Sequence, residues 1–77
     1  MLETAYVLIR LERNTPAEVA RQVRRVSGVA EAAVTMGEVD VLGIVHEDST
    51  KSIAAIKREL EAIEGVGSVS VCVVVRP

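Results

Sequence analysis

From Thr4 to Glu12 the chain alternates: Ala5, Val7, Ile9 and Leu11 share one face, while Tyr6 and Leu8 begin the other before Arg10 and Glu12 turn it polar. A period of two predicts a strand with a buried face. The pattern breaks at Arg13-Asn14. Thr15-Pro16-Ala17-Glu18 then reads as a helix start, with Thr at the N-cap, Pro at the first helical position and Glu three residues after the cap. Val19, Val23 and Val26 recur at helical spacing with Ala20 beside them, and Gly28 is predicted to stop the helix at the C′ position. A second strand runs from Val29 to Met36, a tight type II′ turn falls at Gly37-Glu38, and a third strand runs from Val39 to His46. Polar residues 47–50 follow, with Asp48 or Ser49 expected to cap a second helix. Its apolar stripe is Ile53, Ile56, Leu60 and Ile63, with Lys57 and Glu61 as an exposed pair. Gly65 ends it, and Val66 to Arg76 makes the last strand.

The order strand, helix, strand, strand, helix, strand carries a faint internal repeat. Val26-Ser27-Gly28-Val29 parallels Ile63-Glu64-Gly65-Val66, and an apolar strand follows each. Short connections and right-handed crossovers then predict an α+β, ferredoxin-like βαββαβ fold: a four-stranded antiparallel sheet with both helices on one face. Two helices leave the other face open. Tyr6, Leu8, Leu42, Ile44, Cys72 and Val74 fall on that side, so the sheet is apolar on both faces. This pattern predicts an isologous dimer through the open face, an arrangement of the dimeric α+β barrel kind. The competing reading makes these residues scattered surface positions.

Composition narrows the classes. The 77 residues are enough for one domain, and a core of this size depends on good packing or on partners. A single cysteine excludes an internal disulfide framework, and with no basic n-region at Met1-Leu2-Glu3-Thr4 the expected location is cytoplasmic. No apolar run nears the roughly 20 residues of a membrane span. A net charge of −2 gives no pull on nucleic acid or anionic membrane, and one aromatic residue, Tyr6, gives no platform for stacked bases.

The residue most like a site is Asp40, one carboxylate at the mouth of the hairpin before an apolar strand. It is suited to an ammonium group, with the amides of Gly37, Glu38 and Val39 suited to a carboxylate beside it. Its plain alternative is a turn residue bonded to backbone. Ser68 and Ser70, early in the last strand, are candidate hydroxyl donors to a ligand, or caps of turn backbone. His46 is the single histidine and has no partner at metal-ligand spacing, so a solvated strand end is the better reading. Cys72 lacks a histidine or second cysteine partner and reads as packing. Arg21, Arg24 and Arg25 cluster on the first helix near Glu18, which suits a solvated face. No catalytic set, phosphate loop or metal cluster is visible. A non-enzymatic chain without a cofactor is expected.

Gly37-x-x-Asp40 after a helix-Gly-Val-strand unit, followed by an apolar strand, a capped helix and Ile63-Glu64-Gly65-Val66, resembles the C-terminal effector domain of the Lrp/AsnC family of transcriptional regulators. The resemblance runs from about Ala5 to Val75. Val39 stands where the family often has an aromatic residue, and Val69 and Val71 where it tends to carry Thr. The resemblance implies a stand-alone ligand-binding (RAM) domain over residues 1–77 without the family's helix-turn-helix. It implies a homodimer through the open sheet face, and an octamer or similar ring of dimers. It also implies an amino-acid effector bound between dimers near Gly37 and Asp40, and assembly with itself or with full-length Lrp/AsnC regulators. A ligand-independent assembly module, a small dimeric α+β-barrel enzyme and an ACT-type regulatory domain are the rival readings.

Overall fold

The computed structural model describes residues 4–47 and 51–75. Its elements follow in the order β1 (Thr4–Leu11), α1 (Pro16–Arg24), β2 (Val29–Val34), β3 (Val41–His46), α2 (Ile53–Glu61) and β4 (Val66–Val73). All neighbouring strands are antiparallel, in the order β2-β3-β1-β4. This is the ferredoxin-like βαββαβ fold that the periodicity predicts.

The helices start where their caps place them. Thr15 sits in extended conformation and its side chain accepts the Glu18 amide; Pro16 fills the first helical position, where no N–H is needed. For α2 the cap is Ser52, whose hydroxyl accepts the Ala55 amide at 3.1 Å. The expected caps, Asp48 and Ser49, lie outside the described residues, and the helix starts later than that expectation. The apolar stripes then dock. Val19, Ala20 and Val23 of α1 and Ile56 and Leu60 of α2 are buried against Val7, Ile9, Val41, Val45 and Val69 of the sheet. No buried polar or charged residue interrupts this layer among the described residues. The core is made of Val, Ile, Leu and Ala alone, so closeness of packing has to supply what large side chains would otherwise bury. Gly43 on β3 shows how close: a Cβ there would stand 2.7 Å from Val7 Cγ2 and 3.8 Å from Val23 Cγ1.

Three boundaries differ from the periodic reading. α1 ends at Arg24 with Arg25 as C-cap, so Gly28 is not the C′ residue. It occupies the third position of a separate four-residue turn, closed by the Val29 amide donating to Val26 at 3.1 Å, with φ +99°. Gly65 holds the matching place after α2: the Val66 amide donates to Ile63 at 3.2 Å, with φ +94°. Positive φ at this position needs glycine, so the faint sequence repeat is a repeated turn. The β2–β3 hairpin is also wider than a two-residue turn. The Thr35 amide donates to the Asp40 carbonyl at 3.0 Å, which leaves residues 36–39 as the loop and ends the strands at Val34 and Val41. Finally β4 ends at Val73, and one further bond, Val74 amide to Thr4 carbonyl at 2.8 Å, continues the pairing; Arg76 lies outside the described residues.

Gly65 and Gly37 offer a controlled comparison. Both have positive φ, but a Cβ on Gly65 would lie 2.4 Å from the backbone oxygen of Arg13, while one on Gly37 would meet nothing within 4 Å. Gly37→Ala is expected to cost only the left-handed backbone, about 1–2 kcal/mol. Gly65→Ala adds a clash with rigid backbone and is expected to cost about 2–4 kcal/mol. The check is the urea midpoint of each variant at an unchanged m-value.

Candidate functional site

The hairpin, the start of the β1–α1 loop and the turn after α2 all gather at one end of the sheet, because β1 runs antiparallel to β3 and to β4. Asp40 is the point where they meet. Its amide donates to the Ile9 carbonyl at 2.9 Å, and its carboxylate Oδ2 accepts the Leu11 amide at 2.9 Å. β3 pairing stops at Val41 opposite Ile9, so the Asp40 side chain supplies the acceptor that the next backbone rung would have supplied. On the other side of β1 the register with β4 shifts between Arg10 and Leu11, and Gly65 closes the gap by accepting the Glu12 amide at 2.7 Å. The carboxylate is half-buried and engaged with backbone, the plain alternative of the sequence reading, on at least one oxygen.

The rest of the loop is more open. Gly37 is exposed with φ +134°, and Val39 is half-buried with its carbonyl accepting the Thr35 hydroxyl at 2.9 Å. Met36 is fully exposed. Glu38 reaches back to Arg10, 3.9 Å away, with both side chains largely in solvent, which makes the pair worth little by itself. Arg10 was not among the sequence candidates. Its signal was there: it is the first charge on the out-facing side of β1, after Tyr6 and Leu8.

The structure does not place the two serines in the loop. β4 is separated from β3 by β1, and Ser68 and Ser70 are exposed on the open face, opposite Arg10 and Leu8 respectively. Ser68 is the register partner of Arg10, which in turn meets Glu38 of the hairpin loop. Ser70 sits among apolar residues.

Those residues form two rows across the open face. One runs Glu31, Ile44, Tyr6, Cys72 and the other Ala33, Leu42, Leu8, Ser70. Tyr6 and Cys72 are exposed or nearly so; Leu8, Leu42, Ile44 and Val74 are half-buried. Polar residues flank the two rows: Arg10 and Ser68 on the hairpin side, Thr4 and His46 on the other, with Glu31 and Ser70 closing one row each on the edge strands. His46 Nδ1 and Thr4 Oγ1 are 3.1 Å apart. The patch is therefore apolar in its middle and polar at its rim, the anatomy of a protein interface.

The arginines of α1 are spent locally. Arg21 pairs with Glu18, and Arg24 Nε donates to the Ala32 carbonyl of edge strand β2 at 3.1 Å. The Glu18 carboxyl is held below its ordinary value, first by a hydrogen bond from Gln22 at 3.0 Å and then by the charge of Arg21. Among the described residues no three His, Cys, Asp or Glu side chains gather to hold a metal, and no helix is long and apolar enough to cross a membrane.

The family model for the Lrp/AsnC ligand binding domain matches residues 4–77. An uncharacterised HTH-type transcriptional regulator of Pyrococcus furiosus is 38% identical over 83% of this chain and 45% of its own length. The chain thus spans about half the length of that curated relative. Among solved structures, TTHA0845 from Thermus thermophilus superposes with a TM-score of 0.83 at 22% identity, covering 97% of this chain and 95% of that one. The transcriptional regulator NMB0573 of Neisseria meningitidis, solved as an L-Met complex, has a TM-score of 0.72 at 18% identity, covering 96% of this chain and 50% of that one. At these identities the structural likeness concerns the fold.

One expectation comes from the helix surface. A lowered carboxyl contributes stability above its unfolded value and loses it as pH falls through the folded one. Gln22→Ala is expected to move the Glu18 titration up toward an ordinary carboxylate, followed by NMR of the side-chain carboxyl.

Proposed function

This chain belongs to the Lrp/AsnC family as a ligand-binding domain, and we propose that it is an amino-acid-responsive assembly module that modulates transcription. The observation carrying this reading is the hairpin end of the sheet, where a half-buried carboxylate stands beside an exposed glycine loop. An ammonium group suits Asp40 and a carboxylate suits the loop amides. The L-Met complex of the Neisseria regulator, which shares the fold, supports a free amino acid as the ligand class.

The second half of the proposal is association. Two copies pack their open faces together, burying Tyr6, Leu8, Leu42, Ile44, Cys72 and Val74, and dimers join into a ring of octamer type. The apolar middle and polar rim of the face support this. A ligand held where dimers meet would favour the assembled state, because only that state offers the complete site. The module acts in the cytoplasm on itself or on full-length regulators of the family, and Ser68 and Ser70 contribute from β4 at the edge of the open face. A ligand-independent assembly module is the second reading. It is favoured by one observation: Asp40 already uses an oxygen on the Leu11 amide.

Thermal unfolding against the twenty amino acids at millimolar concentration separates the two and names the effector. A ligand at about 100 times its dissociation constant adds roughly 2.7 kcal/mol, so one or a few selective upward shifts, lost in Asp40→Ala, are expected. A flat panel would leave the ligand-independent module. For the dimer, Ile44→Lys places a charge in the middle of the face, and sedimentation is expected to show monomer with an unchanged circular dichroism spectrum. A dimer that persists in this variant would contradict the open-face contact.

A further inference from the structure

We infer that Asp40 is a positioning residue: its carboxylate fastens the hairpin to β1, so that the loop is held in place whether or not a ligand is bound. The inference rests on the proposed function only for what the loop presents, and its test needs no ligand.

Three observations carry it. The Leu11 amide emerges from β1 one rung beyond the last β1–β3 pair, Ile9 with Val41, so no β3 carbonyl is available to it. Asp40 Oδ2 takes that amide at 2.9 Å across 29 residues of chain, while the Asp40 amide donates to Ile9 at 2.9 Å and the Asp40 carbonyl accepts from Thr35 at 3.0 Å. One residue thereby joins β1 to both arms of the hairpin. The third observation is the shift of β4 register at Arg10/Leu11, beyond which the Glu12 amide donates to the Gly65 carbonyl at 2.7 Å. Without the carboxylate, the Leu11 amide would lose its acceptor where the ladder is already irregular. A hydrogen bond to a charged acceptor is worth more than a neutral one. The loop residues 36–39 have few other ties to the body of the domain: Thr35 Oγ1 on the Val39 carbonyl is internal to the hairpin, and Arg10 with Glu38 is exposed.

Two substitutions at this position differ in what they remove. Asp40→Ala takes away both the fastening and the charge, whereas Asp40→Asn keeps a carbonyl oxygen for the Leu11 amide and removes only the charge. Amide hydrogen exchange on the full chain, with no amino acid added, is the test. In Asp40→Ala the Leu11 and Thr35 amides are expected to exchange roughly 10- to 100-fold faster, with the His46 amide, bonded to Gly28 at the opposite end of the sheet, unchanged. Asp40→Asn, which offers a neutral acceptor, is expected to give protection between that of the alanine variant and wild type. Unchanged protection of Leu11 and Thr35 in the alanine variant would overturn the inference. So would a uniform loss that includes His46, or a failure of asparagine to restore protection. If the alanine variant does not fold, Asp40→Ser, too short to reach the Leu11 amide, is judged by the same criteria. Amino-acid binding is scored separately in Asp40→Asn: loss of thermal shifts with the loop still protected assigns the charge to the ligand, and leaves the fastening role standing.

Discussion

A four-stranded sheet has two faces, and two helices of nine residues each can cover only one of them. Much else in this molecule follows from that constraint. The covered face and the helix stripes packed on it bury only aliphatic side chains among the described residues, the largest of them Ile9, Ile56 and Leu60. The open face carries a second apolar surface, built by the same strands from the alternate residues. The domain is accordingly thin, with principal extents of 36, 25 and 17 Å. A thin domain of this size buries a modest share of its surface in its own core, and Leu8, Leu42 and Ile44 of the open face stay only half-buried.

The ends of the sheet follow a second requirement, that backbone groups find partners. At the hairpin end two different devices meet it: a side chain stands in for a strand carbonyl at Asp40, and the Gly65 carbonyl takes the amides where β1 leaves β4. Both tie together segments far apart in the chain. Along the edge strand a third device, the Arg24 guanidinium, reaches the Ala32 carbonyl. At the candidate ligand end, irregular backbone is thus repaired by a side chain of the hairpin itself.

Element types, the two-layer architecture and the open face were legible in the sequence because each is a periodic property: every second residue of a strand, every third or fourth of a helix. The repeat at Val26–Val29 and Ile63–Val66 was legible too, although as a helix stop; a glycine requirement is visible in sequence, but its place one turn beyond the cap depends on where the helix actually frays. What escaped was aperiodic. The four-residue hairpin loop is closed by bonds from Thr35 to the Asp40 and Val39 carbonyls, and nothing in the spacing of Gly37 and Glu38 distinguishes it from a shorter turn. Arg10 meets Glu38 only through strand order, which no local pattern encodes. Asp40 stood out in the sequence as a lone acid in an apolar run; its bond to Leu11, 29 residues away, did not. For the same reason the place of Ser68 and Ser70, on β4 with β1 between them and the hairpin strand β3, was not readable from their spacing.

Gly43 constrains how this sequence can change over time. Because a Cβ at this position would press on Val7 and approach Val23, three residues from three different elements share a single small volume. Their substitutions are therefore epistatic. A lineage in which position 43 acquires a methyl group must first have shed one at position 7, or have let α1 ride higher on the sheet. The order of such changes is constrained even though none of the three residues belongs to the hairpin loop.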